Sequence, residues 1–574
     1  MTDKFIILGI FGCYLITVTW LTLRGRSKTH TQEDFLVAGR KTHPFIMAMS
    51  YGAAFISTSA IVGFGGMSGC FGLGLLWLPF MNVMVGIIIA FIYFGKRTRK
   101  IGKNLEARTF PEFIGRRYDS KWLKIAVSSI IFFFMPLYCA VVLIGGARFL
   151  EQLLMINYHT AVFSFGIVIG IYVLLGGLKG VMYVDALMGI IMILGLAALL
   201  GLTYWELGGF IPAHQKLTDM VHLAPADFVA RGLNGWTSMP RFNSEMWWLL
   251  VSSLILGVGI GVLAQPQLAV RFMTVKSGKE LNRAVLVGSI FIIITAGSAY
   301  MCGALSNVWF QEKFGMISVD VVKDQKLLSA AYQAKKEGRD FSEIKKEFAP
   351  DIDATPVTAD EAKLRHGNPD LIIPAFINLA LPRWMVYIFA MTLLSAAMTT
   401  LSALLHATGS ALGHDFFGTI FGKQESTFLS KAGIVIGLIV SIVLAFALPA
   451  GIIARGTALF FGICAAAFMP SYIGALYWTR TTRAAVWCSV IGGFACSMFC
   501  MVFLHRAESA GIGICQWLFG RTELISTHPW PFIDPMVIAL PISAFLLITV
   551  SLLTSKLPRR HIGKCFKDIK VREF

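Results

Sequence analysis

The sequence predicts an all-α polytopic membrane protein, and three observations carry that reading. Of its 574 residues, 56% are hydrophobic and only 14% are charged, against roughly 25% charged in soluble domains. The mean hydropathy is +0.70. Apolar stretches of about 20 residues, long enough to cross a hydrocarbon core, recur along the chain. They are continuously apolar and do not alternate, which excludes a β-barrel. The basic residues behind the net charge of +18 cluster in short gaps between these stretches, as the positive-inside rule places them.

The first stretch, about 5–24, has neither a basic leader nor a small-residue cleavage site, so it reads as a retained span and not a signal peptide. The second, 44–70, contains SYGAAFISTSAIVGFGGMSG, and the third covers 73–95. The fourth to sixth follow at 123–150, 159–176 and 181–204. The seventh, 246–268, contains LGVGIGVLAQPQL with a Gln-Pro pair at its inner end, and the eighth covers 284–308. The ninth, 384–412, contains LLSAAMTTLSALLHATGS. The last four are 430–449, 455–478, 484–504 and 535–555, giving about thirteen spans. Basic gaps fall at Arg24–Lys28, Lys96–Lys103, Lys276–Arg283 and Arg480–Arg483, and the tail after Lys556 is basic too. Taken as cytoplasmic, they put the N-terminus outside and the C-terminus inside a plasma or inner membrane. The charge also suits contact with anionic lipid. With no separate basic domain, nucleic acid is not an expected partner. Trp247 and Trp248 are placed at the outer interface.

Long outer segments are expected at 205–245, 309–370 and 505–534. The second carries KDQKLLSAAYQAKKEGRDFSEIKKEFAPD, which reads as a soluble helical hairpin bounded by Pro350, Pro356 and Pro369. The Gly-rich second and seventh spans lie five apart with opposite orientation. Unwound backbone at membrane depth survives only where protein or a cavity surrounds it, and paired broken helices mark the binding site of inverted-repeat carriers. The expected organisation is a link over 1–43, a first repeat over 44–204, an outer loop over 205–245 and a second repeat over 246–478 holding the 309–370 insertion. Two accessory spans and the tail occupy 479–574.

Ser395, Thr399 and Ser402 share one helical stripe, with Thr400 beside it. Such hydroxyls can glue helices or bond back to their own carbonyls. Opposite a broken helix they can also join freed carbonyls around a small hard cation. Asp185 is an intramembrane carboxylate, hence a functional candidate, although hydration from the inner face is an alternative. Glu151 and Asp415 read as solvated or capping residues, and His406 as a packing residue. The ten cysteines show no CxxC pair, so neither a disulfide framework nor a metal site is expected. Cys496 and Cys500 share a helix face as packing residues. There is no nucleotide-binding loop, zinc-protease motif or nucleophile elbow, so the chain is not expected to be an enzyme or ATP-driven.

Several segments together resemble the sodium:solute symporter family, whose members carry proline, sugars, pantothenate, sialic acid and monocarboxylates. They are DFLVAGRK (34–41), AAFIST (53–58), TFPEFIGRRY (109–118), GGLKGVMYVD (176–185), AQPQLAVRFM (264–273) and SAAMTTLSALL (395–405). GGARFLEQLLMINYHTA (145–161) and DLIIPAFINLALP (370–382) look closest to the pantothenate and monocarboxylate branch. The resemblance implies an amino-acid-transporter-like fold with a 5+5 inverted-repeat core. It implies a sodium site made by carbonyls of Ala53, Ile56 and Ala396 with hydroxyls of Thr399 and Thr400. A second sodium site of some members maps onto Asp185, Thr399 and Ser402, but Ala403 stands where its next hydroxyl is expected. Phe55 replaces a frequent Asp or Asn, and Gln267 a frequent His.

The expected function is sodium-coupled import of a small organic solute, a monocarboxylate or pantothenate-like anion, with Na+ as coupling ion and no obligate protein partner. The expected solute site comprises Ser57, Thr58, Ser59, Gly257, Gly259, Gly261 and Gln265. Half-helix N-termini at the midplane favour an anionic head group. The alternatives are a proton-coupled carrier of an amino acid or sugar, and a non-transporting membrane sensor.

Overall fold

The computed structural model describes residues 2–154, 156–341, 344, 367–423, 426–448 and 452–569. Among them the chain is helical throughout, with one isolated bridge between Thr42 and Val275. Ten helices among the described residues are long and apolar enough to cross a membrane. One of them, Ser59–Asn104, turns back at Gly72 (φ +65°) and so holds the second half of span 2 and all of span 3. A side chain at Gly72 would strike the Trp236 carbonyl, which accepts from Leu73 N–H at 2.7 Å. Tyr158–Glu206 bends at Gly177 (φ +54°) and holds spans 5 and 6. With Thr2–Arg26 these make thirteen crossings, as many as the apolar pattern predicts.

The two ends of the bundle have different chemistry. On one face Arg99 Nε donates to Val275 O (2.9 Å), Arg108 to Gln32 (3.1 Å) and Arg480 to Thr554 O (3.0 Å). On that same face Lys100 pairs with Asp568 at 3.0 Å. All the predicted basic gaps gather there. The opposite face pairs its charges, as in Lys216–Glu312 (2.7 Å), Arg455–Glu508 (2.6 Å) and Arg506–Glu523 (2.8 Å). Span 9 (Arg383–Ile420) and span 11 (Ile453–Tyr477) are the most enclosed, with 89% of their apolar windows buried, against 28% in span 13 (Pro535–Leu553). Spans 9 and 11 therefore line the core, and span 13 packs outside it.

Span 2 breaks where the sequence turns to AFISTSA. Its first half, Pro44–Phe55, ends at Ile56, which adopts extended backbone (φ −85°, ψ 98°). Ser57 then caps the second half: its Oγ accepts from Ser59 N–H at 3.1 Å, and its carbonyl accepts from Ala60 and Ile61. Span 7 breaks five spans later, but not in its glycines as expected. Leu249–Gly257 forms wide turns, Val258–Gly261 is α-helical, and the chain leaves the helix only at Gln265 (ψ 116°). The reason is Pro266, which lacks an N–H and bars the residue before it from helical geometry. Helix Pro266–Phe272 then restarts.

On the basic face, helix Phe110–Arg117 is capped by Thr109, whose Oγ1 accepts from Glu112 N–H at 3.1 Å. Burial opposes ionisation of Glu112, but His414, Lys124 and Arg116 around it hold the carboxyl well below its ordinary range. Asp415, expected to be solvated or capping, is instead fully buried, where Lys124 Nζ lies 3.1 Å away and Thr109 donates at 2.8 Å. Packing of the end of span 9 onto this helix buries it, and that long-range contact has no local signature. Glu151 pairs with Arg148 at 2.9 Å, and His406 Nε2 bonds the Phe35 carbonyl at 2.9 Å. All ten cysteines are free. In the 309–370 insertion, the first arm of the expected hairpin is the helix Gln325–Glu337. Of its second arm only Phe341 and Ile344 are among the described residues, and Pro350 and Pro356 lie outside them.

Candidate ion and solute site

The break in span 2 faces the hydroxyls of span 9. Thr399 Oγ1 donates to the Ala53 carbonyl at 2.8 Å and lies 3.2 Å from the Ala396 carbonyl. Thr400 Oγ1 lies 3.2 Å from the Ala54 carbonyl and 3.4 Å from that of Ala53. A carbonyl one turn before a helix break has lost its i+4 donor, so span 9 hydroxyls can reach it. Ala53, Ile56, Ala396, Thr399 and Thr400 are all buried, and four of them meet through these contacts. Ile56 sits at the break itself. Neutral hydroxyl and carbonyl oxygens without a competing cation are the donor set a small hard monovalent ion takes, so the residues fit Na+. Span 1 braces the same helix, since Tyr14 OH lies 3.1 Å from Ser395 Oγ.

Asp185 is held by residues that the sequence reading did not assign to it. Ser50 Oγ donates to its Oδ2 at 2.7 Å, and Arg271 Nη2 lies 3.1 Å from the same oxygen. Arg271 also reaches Ser50 Oγ (3.0 Å) and the Gln267 carbonyl (2.7 Å), and both charged groups are buried to within 1%. A fixed guanidinium therefore occupies the position of counter-charge to Asp185. Ser402, predicted with Asp185 and Thr399 for a second ion, turns its hydroxyl to the Thr399 carbonyl at 2.9 Å. Arg271 balances the charge of Asp185 through Oδ2, while Asp185 Oδ1 is buried without a hydrogen-bond partner among the described residues. Arg271 falls three residues beyond the predicted end of span 7, so the apolar pattern gave no reason to seek a buried acid for it.

The structure divides the predicted solute residues. Ser57 accepts from Tyr138 OH at 3.4 Å, and the Tyr138 ring packs edge-on against Phe461 at 5.5 Å. Phe55 stacks on Phe461 at 6.1 Å, and Gly261 abuts the Phe461 backbone. Gln265 donates to the Gly261 carbonyl at 3.3 Å and accepts from Gln267 at 3.1 Å. Ser57, Gly261 and Gln265 thus come together around an aromatic group of Phe55, Tyr138 and Phe461. Ser59 is buried with its hydroxyl unpartnered. Three of the predicted residues lie apart from this group. Thr58 is spent on the Val142 carbonyl at 2.9 Å, Gly259 packs on Met81, and Gly257 faces Asp534. Helical rotation, 100° per residue, separates their faces. Sequence reasoning missed Tyr138, Phe461 and Arg271. Tyr138 had a signal in its phenol amid an apolar run, whereas Phe461 had none. A cavity of about 10 Å³ on the basic side is lined in part by Leu36, Arg108, Gln267, Arg271, Ala403 and His406.

Among known families, the chain matches the profile of the sodium:solute symporter family over residues 35–329 and 350–493. It is 31% identical over 285 residues to the sodium/pantothenate symporter of Haemophilus influenzae, a match covering 49% of this chain and 56% of that one. The chain thus spans little more than half the length of that relative. It is 25% identical over 512 residues to the osmoregulated proline transporter OpuE of Bacillus subtilis, covering 88% of this chain and 90% of that one. A solved Na+-coupled sialic acid symporter, substrate-bound and outward-open, superimposes with a TM-score of 0.67 over 97% of this chain and 99% of its own. At 14% identity that likeness shows the fold alone.

Proposed function

The chain belongs to the sodium:solute symporter family, a family of multi-pass membrane carriers with Na+ as coupling ion, and from that premise we propose that it imports a small organic anion. The ion is held by the carbonyls of Ala53, Ile56 and Ala396 and the hydroxyls of Thr399 and Thr400. The observation that carries this is the meeting of the Thr399 and Thr400 hydroxyls with carbonyls at the break in span 2. An ion there ties span 2 to span 9, so its arrival and departure can set their relative position. One charge moved through 100 mV supplies about 2.3 kcal/mol before the concentration gradient is added.

The solute lies at the break, between Ser57 and Gln265 and against Phe55, Tyr138 and Phe461. The second half of span 2 presents its N-terminus there, and a helix N-terminus favours negative charge. Arg108 and Arg271 line the cavity on the basic side, along the route such an anion would leave. A carboxylate of the monocarboxylate or pantothenate class fits these features, and the 31% identity to a pantothenate symporter supports it. The near full-length likeness to a proline transporter supports a second reading, an amino acid as solute. The basic face is cytoplasmic, the N-terminus outside and the C-terminus inside, in a plasma or inner membrane. The repeats run over 44–204 and 246–478.

The test is uptake of labelled pantothenate, short monocarboxylates and proline into proteoliposomes under an inward Na+ gradient. One of the carboxylates should accumulate only with Na+. The pair Thr399→Val and Thr400→Val should raise the half-saturating Na+ concentration more than tenfold. Full uptake in sodium-free buffer at acid pH would sink the sodium reading, and preference for proline would reassign the solute.

A further inference from the structure

At the basic face a chain of polar side chains joins the lead-in of span 2 to the end of span 9. Helix Gln32–Val37, which precedes span 2, turns Gln32 inward, where it is only 6% exposed. Its Nε2 lies 3.1 Å from His414 Nδ1, and its Oε1 accepts from Arg108 Nη1 at 3.1 Å. His414 is buried, with Nε2 at 3.5 Å from Glu112 Oε2 and 3.8 Å from Asp415 Oδ1. Lys124 Nζ lies 3.1 Å from that Asp415 oxygen, and Arg116 lies 2.7 Å from Glu112. Span 10 (Thr427–Ala447) packs alongside so closely that a side chain at Gly413 would strike the Leu429 carbonyl, and its Lys431 is exposed.

These contacts fix where the protons sit. A guanidinium offers only donors, so Arg108 must face the oxygen of the Gln32 amide, and the amide nitrogen must face His414. His414 Nδ1 is then an acceptor, and the single N–H of the neutral ring is on Nε2, toward the two acids. A second proton can enter only at Nδ1, the atom that holds Gln32. It would set N–H against N–H, and the amide cannot turn over to relieve this, because Arg108 holds its oxygen. The imidazolium so formed is favoured by Glu112 and Asp415 beside it. His406 makes a second contact between the same two segments, at the Phe35 carbonyl (2.9 Å), but as a donor. A donor histidine keeps its bond when protonated, whereas an acceptor histidine loses it.

We propose that Gln32 and His414 form a proton-operated latch on the basic face, which ties the lead-in of span 2 to span 9 while His414 is neutral and releases it when His414 is protonated. Histidine is the side chain whose ordinary titration falls in the range a cell interior covers. A cavity lined in part by Arg108 and by Ser410, one turn before His414, lies beside it on the same face. The consequence for transport rests on the sodium reading above: an ion leaving toward the basic face needs spans 2 and 9 to part there, and acid on that face eases the parting. The latch itself depends on neither Na+ nor solute.

The experiment is hydrogen exchange of the purified full chain in sodium-free, solute-free buffer, following the segment 32–42 at about pH 8 and about pH 5.5, either side of an ordinary histidine midpoint. After correction for intrinsic exchange, protection of this segment should fall about fivefold to tenfold on acidification, the worth of one buried hydrogen bond. His414→Gln supplies an amide oxygen that accepts from Gln32 and does not titrate, so its protection should be the same at both pH values. Gln32→Ala should show the low protection at both. The latch is overturned if the parent shows no loss in acid, or if His414→Gln loses protection as the parent does. It is equally overturned if Gln32→Ala keeps the parent's protection at about pH 8, a result that stands even where His414→Gln fails to fold. Failure of the sodium reading would appear in the uptake assay and leave these exchange rates unchanged.

Discussion

Asp185 and Asp534 are both buried carboxylates among helices, and the chain compensates them in opposite ways. Asp185 has a guanidinium at 3.1 Å and a hydroxyl at 2.7 Å, both delivered by distant spans. Asp534 has a backbone cap at Met536, Ser252 at its own N–H, and no ion pair among the described residues. A buried charge tied to a fixed partner has little to gain from a free ion, because taking one on means first moving the partner. A carboxylate that caps a helix is held instead by the cap N–H and the positive end of that helix. The contrast teaches that an intramembrane Asp alone does not mark an ion site, and that its partners decide.

The comparison breaks hardest at Arg271. Arg271→Ala strands Asp185 without its counter-charge, and the expected cost is about 3–5 kcal/mol of stability, read as thermal unfolding of the detergent-purified protein. Adding Asp185→Asn should return a large part of that loss. A double-mutant cycle with no coupling would show that the pair is incidental.

Ala403→Ser sharpens the comparison with a smaller effect. It supplies the hydroxyl missing beside Ser402, in the cavity that Arg271 and His406 line. Because Arg271 already balances Asp185, the number of sodium ions per chain should stay the same, with the half-saturating concentration moving less than threefold. Gain of an ion would mean that Arg271 yields readily and that the two carboxylates differ less than their geometry says.

The smallest effect is the same contrast with the sign reversed. Lys335, on the outer helix Gln325–Glu337, spends its half-buried ammonium on the carbonyls of Leu379 (2.9 Å) and Leu381 (2.5 Å). Burial pushes it down to about 8 from an ordinary 10.5. The unfolded chain then holds that proton more tightly than the folded one, so stability should rise slightly as pH climbs from about 8 toward 10.5. Lys335→Met should flatten that slope, as measured by hydrogen exchange of the outer helix. A slope that persists in the variant belongs to another group.

Much of the fold was legible because burial in lipid leaves a one-dimensional trace. Every backbone amide in a span must bond internally, so each crossing is a helix and each helix is an apolar run of known length. Breaks were legible where covalent geometry enforces them: Pro266 stops span 7 at Gln265, and the Ile-Ser-Thr-Ser run loosens span 2 at Ile56. Glycines were a poorer guide. Those of span 7 stay helical, because in membrane helices a missing side chain is also how helices approach closely, as Gly261 does at Phe461.

By itself, then, the sequence determined the membrane class, the number and order of spans, the basic face and the stripe of hydroxyls on span 9. These depend on composition and period along the chain. Only the tertiary structure decided what each polar group meets: Thr399 with Ala53, Asp185 with Arg271, Asp415 with Lys124, Asp534 with Ser252. Pairings between residues 86 to 346 positions apart are set by how helices pack, and helix packing answers to side-chain shape on both surfaces at once. A buried charge is costly wherever it lies, and the partner that relieves the cost comes from whichever helix the fold brings beside it.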